Sequence, residues 1–261
     1  MLDLEGAGPS RARIAELAGG EPVLSISDLR AGYGKMEILH GIDLQIAAGR
    51  ALCIIGPNGA GKSTVLHSIY GFTRIRAGTI HVAGRDITRL SSNEKLRHAG
   101  IAYILQDNSV FPDMTVEENL WMGGYLMARP EEAKQAAEDV LQKYPRLANR
   151  RHQPARVLSG GERRLLEISR ALVMKPRVLL VDEPSIGLEP RYIDMVFEIL
   201  SDLRRSEGKA IVMVEQNAKK GLEFADVGYV LVSGSVARAG TGAELLQDPD
   251  VGRLFLGDRP L

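Results

Sequence analysis

Gly56-Pro57-Asn58-Gly59-Ala60-Gly61-Lys62-Ser63-Thr64 has the residue types and spacing of a loop that wraps a polyphosphate. Gly56, Gly59 and Gly61 let successive backbone N–H groups turn inward and approach an anion closely. Lys62 is placed to reach the β- and γ-phosphates, Ser63 to hold Mg²⁺ through its hydroxyl, and Thr64 to contact the α-phosphate. A helix starting near Lys62 would aim its positive dipole end at the same anion. Taken alone, the same letters also fit a tight glycine turn with an exposed lysine.

Two further stretches carry chemistry. Val178-Leu179-Leu180-Val181 is an apolar run that delivers Asp182 and Glu183 at its end. Asp182 would hold Mg²⁺, directly or through water, beside Ser63, and Glu183 could polarise a water for attack on the γ-phosphate. A polar strand end at the surface is the plainer alternative for one acid, less so for two. Leu158-Ser159-Gly160-Gly161-Glu162 opens a helix with a serine and two glycines, which makes a second cradle of N–H groups. A helix cap accounts for Ser159 but poorly for Gly160 and Gly161. Tyr33, flanked by Gly32 and Gly34, is placed either to stack on a planar base or to cover core.

Elements must hold these residues, and the pattern supplies them. Ala51–Ile55 is a short apolar strand before the glycine loop, and Val65–Tyr70 a helix that stops at Gly71. Residues 23–27 and 38–46 alternate as strands should, predicting a small antiparallel sheet beside a parallel core. Further strands are expected at 78–82, 100–105, 178–181 and 210–214, with a hairpin about Ser233-Gly234. Helices are expected at 91–97, 162–173, 192–207, 217–224 and 243–247. Residues 108–157 have helical spacing and no convincing strand, so they read as a helical subdomain inserted into the α/β core. Residues 1–22 read as a mobile extension in which Ser10–Leu17 could form a turn or two of helix, and 258–261 as a tail.

Composition excludes several classes. The chain has 261 residues with 33 basic balancing 33 acidic ones, so no electrostatic footprint for nucleic acid is present. The apolar runs are too short to span a bilayer, and no signal-peptide core is visible at the start. The single cysteine, Cys53, sits inside an apolar strand and fits a reducing, cytoplasmic setting.

As a set, these motifs resemble the ATP-binding subunits of ABC transporters over residues 23–257. The order is the family's: Gly56–Thr64, Gln106, Leu158–Glu162, Val178–Glu183 and Ser185-Ile186-Gly187-Leu188-Glu189. The resemblance implies a P-loop NTPase core with a parallel sheet, an antiparallel side sheet and an inserted helical subdomain. It implies ATP hydrolysis with Mg²⁺, coupled to transport by separate transmembrane permease subunits at the cytoplasmic face of the membrane. It also implies a head-to-tail dimer, with itself or a paralogous ATPase, in which ATP lies between one phosphate loop and the other subunit's Ser159-Gly160-Gly161. Tyr33 then corresponds to the adenine-stacking aromatic and Gln106 to a Mg²⁺ contact that links to the permease.

Three positions depart from the commoner pattern: Glu162 where many members have Gln, Glu189 in place of Asp, and Gln216 in place of a histidine that contacts the γ-phosphate. A glutamine amide donates that hydrogen bond but cannot titrate; capping the following helix is its other reading. Val214-Glu215-Gln216-Asn217, Met114–Leu120, Met122–Tyr125 and Ala225–Leu231 resemble the ATPases of importers for branched-chain amino acids, urea and short amides, most closely the shorter of the two branched-chain subunits. Such importers receive their solute from an external binding protein. Gln106, where that subunit usually has Glu, and Leu158–Arg164, which also resembles the ATPase of lipopolysaccharide export, pull the other way. A DNA- or ribosome-directed ABC ATPase would call for a coiled-coil insertion, tandem nucleotide domains or a basic face, and none is seen.

Overall fold

This computed structural model describes residues 8–106, 109–252 and 255, and its first element is capped by Ser10. The Ser10 hydroxyl caps α1 (Arg11–Ala18) by accepting the Arg13 N–H at 3.2 Å, and Gly19 ends the helix at φ 76°. Ile14, Leu17 and Ala18 are buried, and the Arg13 guanidinium holds the Glu244 carboxylate at 2.9 and 2.7 Å. Of the two readings of this segment, the turn or two of helix at Ser10–Leu17 is the one found: residues 11–18 form a docked helix. Two large apolar side chains among arginines and glutamates make too short a stripe for periodicity to register. Residues 1–7, Asn108 at the expected subdomain boundary and the tail 258–261 lie outside the described residues.

β1 (Pro22–Tyr33) and β2 (Met36–Ala47) are longer than their alternation suggests. The reason is a register shift between Ile26 and Leu29, with Asp28 at φ 45°, which breaks the period of two without ending the strand. With β3 (Ala51–Ile55) set apart as the core strand, β4 (Arg74–Val82) and β5 (Arg85–Asp86) complete an antiparallel sheet of order β2-β1-β4-β5. α2 (Lys62–Tyr70) follows the glycine loop and stops at Gly71, as expected.

The expected helix at 91–97 is present as α3 (Ser92–Glu94), capped by Ser91 and running into a π-helical turn at Lys95–Ala99. That wider turn carries Lys95 inward, where it is 0% exposed. Its ammonium donates to the carbonyl of Ile69 at 2.8 Å and of Ser68 at 3.4 Å, closing the negative end of α2. Burial pulls its pKa down from the usual 10.5 to about 8. Between those values the unfolded chain binds a proton that the folded chain has released, so stability rises as pH goes from about 8 towards 10.5. Lys95→Met should lack that rise. Urea midpoints of parent and variant across this range check it, and the same slope in both would refute it.

β6 (Ile101–Ile104) leads into the helical block: α4 (Val116–Gly123), α5 (Pro130–Lys143) and α6 (Pro145–Ala148), with a 3₁₀ turn at Ala155–Val157. Its described residues contain no strand, only an isolated bridge between Thr115 and Pro154. α7 (Gly160–Leu172) returns the chain to the core, burying Leu165, Leu166 and Ile168. Then follow β7 (Val178–Asp182), α8 (Pro190–Glu207), β8 (Ala210–Val214), α9 (Ala218–Phe224), β9 (Val227–Val232), β10 (Ser235–Thr241), α10 (Gly242–Gln247) and α11 (Pro249–Val251).

The second sheet has the order β10-β9-β3-β8-β7-β6, parallel except for β10. β3, β7 and β8 are buried at every position, which is why they read as unbroken apolar runs. Ala51, Cys53 and Ile55 face a core shared with α4, α5, α7 and α8, while Leu52 and Ile54 face one shared with α2 and the antiparallel sheet. Among the described residues no helix is long and apolar enough to cross a membrane.

Candidate functional site

Strands β3, β8, β7 and β6 are neighbours and point the same way, so their carboxyl ends form one edge. That edge is where open parallel sheets bind ligands. The glycine loop leaves β3 there, Gln216 lies just past β8, Asp182 and Glu183 end β7, and Gln106 lies just past β6. The pairing of Asp182 with Val214 sets the acids beside the Gln216 turn.

Asn58, Gly59, Gly61, Lys62, Ser63, Thr64 and Glu183 line one cavity of about 410 Å³. Gly56, Pro57 and Ala60 complete the loop behind them. Gly56 has φ 153°, and a Cβ there would lie 2.2 Å from the Leu231 carbonyl oxygen, so only glycine fits. At Gly59 a Cβ would meet nothing within 4 Å: the loop is open on its ligand side. Lys62 is 7% exposed, and its ammonium donates to the carbonyls of Gly56 at 2.9 Å and Pro57 at 3.2 Å. It is thus held at the mouth of the N–H cradle.

Ser63 Oγ donates to Asp182 Oδ1 at 3.1 Å, joining the two motifs that spacing alone had left 119 residues apart. Tyr103 OH donates to Asp182 Oδ2 at 2.7 Å. Gln106 Nε2 donates to Glu183 Oε2 at 3.0 Å, which fixes one carboxylate oxygen of Glu183. Glu183 itself has φ 43°, a conformation that costs energy for a residue with a side chain, and its N–H donates to the Val214 carbonyl.

No group of three or more His, Cys, Asp or Glu among the described residues could hold a metal ion unaided. A hydroxyl and one carboxylate, Ser63 and Asp182, nonetheless suit Mg²⁺, which completes its shell with water and substrate phosphate oxygens. The residues present fit the ion on those terms.

Other expected site residues lie outside this cavity. Tyr33 ends β1; it is 43% exposed and its hydroxyl is hydrogen-bonded to His67 Nδ1 on α2. Ser159 caps α7 with its hydroxyl accepting the Glu162 N–H at 3.3 Å, while Glu162 accepts the Ser159 N–H at 3.0 Å. That capping box explains Glu162, which Arg150 also holds at 2.7 Å. Burial opposes the Glu162 charge, but the Ser159 donors and Arg150 outweigh it and hold its pKa below the usual carboxylate value. A Cβ on Gly161 would strike Tyr192 at 2.1 Å, whereas one on Gly160 would meet only Leu188 at 3.9 Å. Gly160 therefore leaves backbone open to an approaching group. Gln216 is exposed, and Asn217, not Gln216, caps α9 by accepting the Lys220 N–H at 3.1 Å.

One residue of the edge was not legible beforehand. Glu215 is 1% exposed, accepts from the Ser185 hydroxyl and the Asn217 N–H on Oε1, and has a buried Oε2 with no hydrogen-bond partner. Burial, with a smaller push from Glu183, raises its pKa. It ties the loop after Glu183 to the Gln216 turn. Its signal in the sequence, an acid at the end of an apolar strand, was present but shadowed by Asp182-Glu183.

Below this edge, between the core and the helical block, runs a groove of about 320 Å³ lined by Tyr70, Tyr103, Phe111, Met122, Tyr125 and Arg170, among others.

Comparison with known proteins agrees with this geometry. The profile of the family described as ABC transporter matches residues 39–186. The high-affinity branched-chain amino acid transport ATP-binding protein BraG of Pseudomonas aeruginosa is 41% identical over 90% of this chain and 100% of its own length. The probable branched-chain amino acid transport ATP-binding protein LivF of Archaeoglobus fulgidus is 39% identical over 88% of this chain and 96% of its own. The lipopolysaccharide export system ATP-binding protein LptB of Acidithiobacillus ferridurans is 34% identical over 91% and 98%. A crystal structure of an ABC-transporter ATP-binding cassette in its ADP conformation superposes with a TM-score of 0.81 at 28% identity, over 92% of this chain and 100% of that one. A phosphate loop joined to an acidic strand end, in this fold and with these relatives, makes the chain a member of the ABC transporter family, one of its ATP-binding and ATP-hydrolysing subunits.

Proposed function

We propose that this subunit powers an importer of branched-chain amino acids or related polar solutes, docked to membrane permease subunits at the cytoplasmic face. The observation that carries the hydrolytic part is the Ser63–Asp182 bond beside Glu183 in one cavity. Lys62 and the loop N–H groups would bind the β- and γ-phosphates. Ser63 and Asp182 would hold Mg²⁺, which supplies charge neutralisation on the phosphate oxygens when bound. Glu183, braced by Gln106, orients a water and accepts its proton. Tyr33 offers its exposed ring to the adenine. Gln216 offers a neutral N–H to the γ-phosphate at any physiological pH. Ser159, Gly160 and Gly161, which do not line this cavity, would complete the same site in a second copy or a paralogue.

The importer assignment is supported by the 41% identity to BraG across nearly the entire chain. Export of lipopolysaccharide is the second reading, favoured by the Leu158–Arg164 stretch and the LptB relative. Reconstitution with permease and solute-binding partners separates them. A branched-chain amino acid with its binding protein should stimulate ATP hydrolysis; stimulation by lipopolysaccharide instead would select the second reading.

The permease would seat a helix in the groove. Of the apolar side chains just past Gln106, Val110 is 9% exposed and belongs to the core. Phe111 is 42% exposed, with the Arg170 guanidinium 5.4 Å from its ring centroid. Phe111→Ala should therefore cost little stability, yet lower recovery of the complex severalfold by removing an apolar anchor. Co-purification of the variant with its permease checks this, together with its melting temperature. Normal assembly with a large loss of melting temperature would place Phe111 in the core's service instead.

A further inference from the structure

Tyr103 lies three residues before Gln106, on the last strand of the sheet, and its two ends do different things. Its hydroxyl donates to Asp182 Oδ2 at 2.7 Å, on the oxygen that Ser63 leaves free. Its ring lines the groove and packs against three neighbours: Tyr70 with centroids 5.5 Å apart, Phe72 at 6.0 Å and His67 at 5.8 Å. His67 in turn holds the hydroxyl of Tyr33. A half-buried phenol clamped by three rings has little freedom, so the donor it presents to Asp182 is fixed in direction.

With Ser63 on Oδ1 and Tyr103 on Oδ2 the plane of the Asp182 carboxylate is fixed, and each oxygen keeps a lone pair for an ion or its bound water. We propose that Tyr103 is a positioning residue for Asp182, orienting the carboxylate toward Mg²⁺, and that the groove wall and the metal carboxylate thereby share one side chain. This rests on the reading of Asp182 as the Mg²⁺ carboxylate. Outer-shell donors of this kind are worth about 10–100-fold in metal affinity when removed.

The test is binding, not turnover. A fluorescent ATP analogue is titrated onto the parent, Tyr103→Phe and Asp182→Asn, without Mg²⁺ and then across a Mg²⁺ series. Tyr103→Phe keeps the ring in the groove and removes only the donor. It should leave metal-free nucleotide affinity within about twofold and raise the half-saturating Mg²⁺ concentration by about tenfold or more. The ratio of the two affinities within one protein cancels any loss of folded material. In the double variant, Tyr103→Phe should add nothing to Asp182→Asn. If Asp182→Asn does not shift the Mg²⁺ series, the reading of Asp182 fails. If it does shift while Tyr103→Phe leaves the series unchanged, or weakens metal-free and metal-loaded binding equally, the positioning role of Tyr103 is overturned.

Discussion

Lys62→Ala should reduce ATP hydrolysis to background while leaving the fold intact. Lys62 is the one cation among the described residues lining the glycine-loop cavity, and its ammonium is held there by two carbonyls of the loop itself. Removing one preorganised donor to developing charge costs about 2.7–4 kcal/mol, a loss of about 10²–10³ in kcat. Loss of ground-state affinity for the same phosphates adds to it. The fold should survive because the Lys62 carbonyl partners belong to Gly56, which is partly exposed, and Pro57, which is exposed, so that water can replace the ammonium. Phosphate release and nucleotide titration on the purified variant, with a thermal melt as control, check the prediction. Near-normal turnover with tight ATP binding would remove the loop from the site.

Glu183→Gln should separate binding from hydrolysis. The amide keeps the shape and its contact with Gln106 but no longer accepts a proton, and general-base contributions are about 10²–10⁴-fold. ATP should still bind, since Lys62, Ser63 and the loop amides are untouched. With turnover stalled, the ATP-bound form should accumulate as a dimer wherever the subunit pairs with itself. Size-exclusion chromatography with and without MgATP, beside a phosphate-release assay, reads both effects. Unchanged hydrolysis would refute the role of Glu183.

These two residues were legible in the sequence because backbone demands and strand ends leave a local mark. Three glycines at fixed spacing need no tertiary information, and neither do two acids after an unbroken apolar strand. The residues that join those motifs were not legible. Tyr103 reads as one more strand residue until the β6–β7 pairing brings its hydroxyl to Asp182. Glu215 becomes special only because Ser185, thirty positions away, turns its hydroxyl to it. Lys95 reads as solvated charge on a surface helix, and only the π-helical turn carries it to the end of α2. The docking of helix α1 was hidden for a related reason: it depends on Glu244, at the other end of the chain. Short-range pattern finds the parts that touch a ligand through the backbone, and misses the side chains whose role is to hold other side chains.

The central claim is that the nucleotide site at the sheet edge is finished by a second ATPase subunit, through Ser159, Gly160 and Gly161. The most direct test is the rate of MgATP hydrolysis per mole of purified chain, followed through a serial dilution. A site shared between two copies predicts a specific activity that falls as the protein is diluted and saturates as it is concentrated. A specific activity that stays constant and substantial through the series would show that one chain alone completes the site, and would contradict the account.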